Sequence, residues 1–324
     1  MKPHPKCRRL WTVTALFLVA LGLWGLWQID LVRQNVEILY LSFTGNRWEL
    51  RGTEKTIRVP SKALGETRPA VLYLPPGYDM TENRNRRYPV LYLLHGFPNP
   101  GGYQSWVRYG RAPQEIDRLI VEKQIAPLIV VCPNGEGSIG KFGDSEYLDP
   151  ITPGNGSRIA SFITQDLVSF VDTNYRTIAK PEARLLGGAS TGGYGAANLG
   201  LQHPSIWKNI LSFSGYFEAD PRHFASPLWG DTPDAKALRS QSPLYILQDA
   251  RDPSQWMGMF VYLGEGADEP AGEREDAAVF DAALRQAGIS VLHQTPPGRH
   301  SWDVWRTLLR SSLISLQKRL PAQP

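Results

Sequence analysis

The sequence predicts an α/β fold, a mostly parallel central sheet with helices on both faces. Three observations carry that expectation. Strand-like and helix-like segments alternate along most of the chain. Residues 89–94, PVLYLL, are apolar almost without a break, the pattern of a strand covered on both sides. Residues 158–175 place Ile159, Phe162, Ile163, Leu167, Phe170 and Val171 at helical spacing.

Taken in order, 56–59 and 70–74 read as two opening strands, the second stopped by Pro75-Pro76-Gly77. They look hairpin-like, which predicts an antiparallel leading edge. The polar loop NRNRR, 83–87, leads into the apolar strand 89–94. A helix is expected over 113–124, with Ile116, Leu119 and Ile120 on one face, followed by a strand at 128–132. A long glycine-rich loop, 133–156, precedes the helix at 158–175. Next come a strand at 184–187, a helix after Ser190 that ends at Gln202-His203-Pro204, and a strand at 207–213. Residues 216–256 are proline-rich and aromatic without periodicity, and read as loops and short helices over one sheet edge. Strand 257–263, helix 273–287, strand 290–294 and helix 302–320 complete the pattern.

The 324 residues are 42% apolar and 20% charged, enough for one large core or two small ones. The net charge of +4 does not signal nucleic-acid binding. Lys2, Lys6, Arg8 and Arg9 supply four positive charges before any acid, leaving 31 basic against 31 acidic residues and no basic stripe. Residues 10–29, LWTVTALFLVALGLWGLWQI, carry no charge. A helix of that length spans roughly 30 Å, the thickness of a bilayer core. Basic residues before it and Trp24 and Trp27 near its far end predict a transmembrane signal anchor, with the remainder exported. Cleavage near Ala20-Leu21-Gly22 is the alternative, and would give a secreted protein. The expected organisation is a cytoplasmic basic tail (1–9), the anchor (10–29), a connector (30–51) and a catalytic domain (52–324). Cys7 and Cys132 fall on opposite sides of the anchor, so no disulfide is expected within the domain. Cys132 ends an apolar run and reads as a buried thiol.

Gly188-Ala189-Ser190-Thr191-Gly192 is the one G-x-S-x-G match in the chain. A nucleophile at such a strand-to-helix turn needs glycines two residues before and after it, where side chains would clash. The following helix N-terminus then aims amide groups at a developing anion. Ser190 is the candidate nucleophile. Its base should come later in the chain, after an acid. His203 reads as a helix cap and His293 lies within a strand, whereas His300 sits in a loop after that strand and is the candidate base. The acid is expected on Gly264-Glu265-Gly266-Ala267-Asp268-Glu269-Pro270, with Asp268 preferred, Glu269 second and Glu265 third; Asp252 is more remote. The oxyanion-hole donors are assigned to the N–H groups of Thr191 and Phe97, with His95 shaping the Phe97 loop. Trp106, Trp229 and Trp256 are candidates to line a substrate cleft. No His-x-His, His-Glu-x-x-His or Cys pair occurs, and neither metal nor cofactor is expected.

The stretches SKALGETRPAVLYLPPGYD (61–79), YPVLYLLHG (88–96), LIVVCPNG (128–135), FITQDLVSFVDTNYR (162–176), GGASTGGYGA (187–196) and GRHSWDVWR (298–306) carry a resemblance. The chain resembles the α/β-hydrolase esterases grouped with esterase D, enterochelin esterases and the antigen 85 mycolyltransferases. That resemblance implies an α/β-hydrolase fold, Ser190 as nucleophile, His300 as base and an acid on 264–270. The acid is Asp in many such esterases and Glu in the mycolyltransferases, and this loop holds both. The expected activity is a serine carboxylesterase acting on a small-molecule ester through an acyl-enzyme. An acyltransferase to a sugar or lipid hydroxyl is the alternative. A non-catalytic binding protein on the same scaffold is the reading from another class.

Overall fold

Alternation along the strands divides their side chains between two cores. On β3, Val90, Tyr92 and Leu94 face one core while Leu91 and Leu93 face the other, and all five are buried. The computed structural model describes residues 48–97, 101–137, 145–150, 157–219 and 235–321. The leader 10–29, the connector up to residue 47 and Trp229 lie outside the described residues. No helix among the described residues is long and apolar enough to cross a membrane.

The described strands form one sheet in the order β1-β2-β4-β3-β5-β6-β7-β8. They are β1 (Thr53–Ser61), β2 (Glu66–Leu74), β3 (Val90–Leu94), β4 (Ile129–Pro133), β5 (Arg184–Ala189), β6 (Asn209–Phe213), β7 (Phe260–Gly264) and β8 (Ser290–Gln294). β1 and β2 form the expected antiparallel hairpin, β2 runs antiparallel to β4, and the remaining pairs are parallel.

Helix α1 (Ala112–Val121) and the C-terminal helix cover the face carrying Leu91 and Leu93. The opposite face is covered in part by α2, which runs through Ile159–Ser161, a π-helical stretch Phe162–Leu167 and Val168–Asn174. Helix α3 (Thr191–Gln202) joins it, its glycines and alanines allowing close approach to β5 and β6. Short helices α4 (Ala235–Ser240) and α5 (Pro243–Gln248) follow, in the segment expected to be irregular. Helix α6 (Ala271–Gln286) lies against the same core through Ala277, Phe280 and Leu284, and α7 (Trp302–Leu316) closes the chain on the other side.

The parallel strands explain where chemistry can occur. After β3 the chain adds β4 on one side and β5 on the other, so the order reverses between neighbours. In such sheets a ligand site opens beyond the strand carboxyl ends at the reversal. The loop 95–97 after β3 and Ser190 after β5 both emerge there.

Candidate active site

Ser190 joins β5 to α3 with φ 56° and ψ −123°. A non-glycine residue held there stores backbone strain, which the surroundings must enforce. They do so through packing that tolerates no side chain on either flank. A Cβ on Gly188 would lie 2.3 Å from Gly192 O, and one on Gly192 would lie 2.4 Å from Leu94 O. The Ser190 N–H donates to Phe213 O at 2.9 Å, which ties the turn to β6. Thr191 is the first residue of α3, where the amide has no intrahelical acceptor. A Cβ on Gly96 would come 3.2 Å from Ser190 Cβ, so the loop carrying Phe97 runs against the serine.

His95 is buried and shapes that loop, as expected. Its Nδ1 lies 3.0 Å from Gly96 O, and Gly135 N–H donates to Nε2 at 3.2 Å. The second bond makes Nε2 the acceptor and places the proton on Nδ1. Burial lowers the His95 pKa, in keeping with a neutral ring. Tyr147 Oη donates to His95 O at 2.7 Å and Trp106 Nε1 to Leu94 O at 2.8 Å. Trp106 is fully buried, edge-on to Phe213 and Trp302, and so packs the site's underside instead of lining a cleft. Trp256 is likewise buried, with Nε1 donating to Leu201 O at 2.9 Å. Both depart from the expected substrate-lining role for the same reason: each indole N–H is satisfied inside the protein.

The acid loop differs from expectation at its preferred residue. His300 Nδ1 lies 3.2 Å from Glu269 Oε2. Asp268 is exposed, and its Oδ2 accepts from Gly298 N–H at 3.1 Å. Backbone pairing between two loops sets this outcome. Ala267 N–H donates to Pro296 O and Asp268 N–H to Gly298 O, both at 2.8 Å, while Gly266 backs onto Gly298 so closely that a Cβ would meet its oxygen at 2.2 Å. That zipper leaves Asp268 on the outside and folds Glu269 inward.

Glu269 is held by several donors. Ser214 Oγ–H and Gly266 N–H each donate to Oε1 at 2.7 Å. Trp305 Nε1–H donates in turn to Ser214 Oγ at 2.9 Å, and its ring stands edge-on to His300. Burial opposes the charge on Glu269, but the His300, Ser214 and Gly266 donors outweigh it and hold the carboxyl below its usual range. An ionised Glu269 fixes the Nδ1–H tautomer of His300 and leaves Nε2 as a base. Ser214 was not singled out in the sequence. Its signal is the Ser-Gly pair closing β6, where Ser214 takes φ 47°.

A second pairing occupies the loop's other acid. Buried Glu265 places both carboxylate oxygens 2.9 Å from His293 Nε2, and Asp281 Oδ2 lies 3.5 Å from His293 Nδ1. Glu265 is thereby tied to β8 and away from His300. Of groups that could hold a cation, Glu269, Glu273 and His300 have ligand atoms within 4.8 Å of one another. Both oxygens of Glu269 already accept from protein donors, so an acid–base arrangement accounts for the cluster.

The family model described as "Putative esterase" matches residues 61–316. The chain belongs to the esterase family. It is 27% identical over 262 residues to an uncharacterized protein of Corynebacterium glutamicum, covering 78% of this chain and 58% of that one. It is 28% identical over 265 residues to an endo-1,4-beta-xylanase/feruloyl esterase of Xylanibacter ruminicola, covering 80% of this chain and 30% of that one. The chain therefore spans little more than half of the first relative and under a third of the second. A solved ferulic acid esterase superposes with a TM-score of 0.71 at 23% identity, covering 84% of this chain and all of that one. That likeness supports the α/β-hydrolase fold.

Proposed function

We propose that this protein is a membrane-anchored, extracytoplasmic serine carboxylesterase that works through an acyl-enzyme. Ser190 is the nucleophile, His300 the base and Glu269 the acid. The observation that carries the reading is the buried Glu269 carboxylate meeting His300 Nδ1, on loops that share the strand carboxyl ends with the strained Ser190 turn. The charge-free leader, residues 10–29 behind four basic residues, supports the anchor and the outward orientation.

Ser190 Oγ attacks the ester carbonyl carbon while its proton passes to His300 Nε2. The carbonyl oxygen becomes an oxyanion, met by the Thr191 and Phe97 N–H groups. Glu269 stabilises the imidazolium through the Nδ1–H bond. The C–O bond to the alcohol then breaks, and the imidazolium gives the leaving oxygen its proton. Water enters, loses a proton to Nε2 and attacks the acyl-enzyme, releasing the acid and restoring Ser190 Oγ–H. The feruloyl and ferulic acid esterases among the similar proteins point to feruloyl esters as the first substrates to try.

A second reading is favoured by one observation. The carboxylate at His300 is a glutamate, the type that the resemblance associates with the mycolyltransferases. In that reading a sugar or lipid hydroxyl replaces the water that attacks the acyl-enzyme, gives its proton to Nε2 and leaves as the new ester.

Fluorophosphonate labelling of the full-length chain, wild type beside Ser190→Ala, tests the mechanism, and an ester panel with and without sugar acceptors separates the two outcomes. Labelling that persists in the variant would overturn the assignment of Ser190. Acceptor-dependent product would select the transferase.

A further inference from the structure

Helix α6 begins directly after the acid loop, and its first turn brings another acid back over Glu269. Pro270 precedes the helix, and Arg274 N–H donates to Pro270 O at 3.2 Å. Arg274 Nε also donates to Glu269 O at 3.1 Å, which fixes the start of the helix against the loop. Glu273 therefore projects where a carboxylate oxygen, a Glu269 oxygen and a His300 ring nitrogen all fall within 4.8 Å of one another. We propose that Glu273 is a second carboxylate for His300, a positioning residue that steadies the imidazole beside Glu269 and holds it when Glu269 is replaced by a neutral residue. The proposal rests on the reading of Ser190, His300 and Glu269 given above.

The charged groups facing Glu273 are Glu269 from the acid loop, His300 from the loop after β8, and Asp276 on α6 itself. Partial burial, the Glu269 charge and hydrogen bond, and Asp276 raise the Glu273 carboxyl against the pull of His300. Two carboxylates so close favour sharing a proton between them, and the one with fewer donors carries it longer. Glu269 is held ionised by the His300, Ser214 and Gly266 donors while Glu273 is raised, so Glu273 yields the charge to Glu269 as pH falls. Above the pH at which Glu273 ionises, it adds a second negative charge beside the imidazolium that forms during catalysis. Removing that charge makes the imidazolium less favourable, so the acid limb of the rate profile moves to lower pH.

The test measures kcat/KM from pH 5 to 9 on the full-length chain for wild type, Glu273→Gln, Glu269→Gln and the double variant. Glu273→Gln is expected to slow ester hydrolysis about threefold at pH 8 and to move the acid limb down by about half a pH unit. In the Glu269→Gln background, the same change is expected to cost about tenfold or more, because the remaining carboxylate is then lost. Glu273→Asp in that background should restore part of the difference. An unmoved acid limb, with one and the same factor in both backgrounds, would overturn the proposal. Full activity in Ser190→Ala or in Glu269→Gln would instead overturn the triad reading.

Discussion

Glu269 Oε2 stands 3.2 Å from His300 Nδ1, while the neighbouring Asp268 turns outward and accepts from Gly298 N–H. Two adjacent acids thus have separate tasks, one facing the imidazole and one clasping the loop that carries it. Glu269→Gln should lower kcat about 10²- to 10³-fold, because the amide presents a donor that disfavours the Nδ1–H tautomer. Asp268→Asn should cost about threefold or less, since the amide oxygen can still accept from Gly298. Parallel steady-state assays decide it, and a larger loss at Asp268 would return the acid role to that residue.

Ser214 links Trp305 to Glu269, so Ser214→Ala removes one buried donor and orphans another. The expected cost is about 2 kcal/mol in urea unfolding, as for a buried hydrogen bond to a charged group. The pH dependence has a definite sign. Glu269 has its carboxyl lowered in the folded protein, so its contribution is present above the ordinary carboxylate value and is lost as pH falls through the lowered value. With the Ser214 donor gone, that lowered value rises, and acid unfolding should begin at higher pH. Circular dichroism between pH 2 and 6 reads the shift; coincident midpoints for both proteins would remove Ser214 from the support of Glu269.

The strands were legible because period and punctuation are local; their order in the sheet was not, since it depends on pairing between segments distant in the chain. The unbroken apolar run of β3 and the two-sided burial it implies come from the same residues, and the antiparallel pairing of β1 and β2 joins strands consecutive in the chain. Ser190 and the His300 loop were legible for a similar reason, since each follows a strand end. The choice among Glu265, Asp268 and Glu269 was not. All three lie in one loop, where no side-chain period exists, and the choice depends on pairing with residues 296–298. Trp106 and Trp256 show the same limit: an indole looks alike in sequence whether its N–H meets a ligand or the oxygens of Leu94 and Leu201.

The Ser190 turn predicts a stability effect independent of chemistry. Gly192 packs against the end of β3, where a Cβ would meet Leu94 O at 2.4 Å and His95 O at 2.8 Å. These are backbone atoms at the carboxyl end of a central strand, so the contact cannot be relieved by a rotamer change. Gly192→Ala should cost about 3 kcal/mol or more and should disturb labelling of Ser190 even where the protein folds. Gly272→Ala is the control, because nothing lies within 4 Å of a Cβ there. Urea midpoints for the two variants should differ clearly; equal values would mean that the turn has room the packing does not show.

His293 offers a pH prediction of opposite sign, well separated from that of Glu269. Burial opposes its charge, but the Glu265 hydrogen bond and charge, together with Asp281, outweigh it and raise its pKa in the folded protein. The contribution of the protonated ring is therefore fully present below the ordinary histidine value and is lost as pH rises through the raised one. Wild-type stability should fall as pH rises from the ordinary histidine value through the raised one, whereas His293→Gln should be less stable below that interval and flatter across it. Urea midpoints from pH 5 to 9 give both slopes. The loss also reaches the site: Glu265 precedes Gly266, whose N–H holds Glu269 Oε1, so releasing Glu265 from His293 loosens the donor that faces the acid. A wild-type stability curve as flat as that of the variant would show that the pair carries no charge-dependent stability.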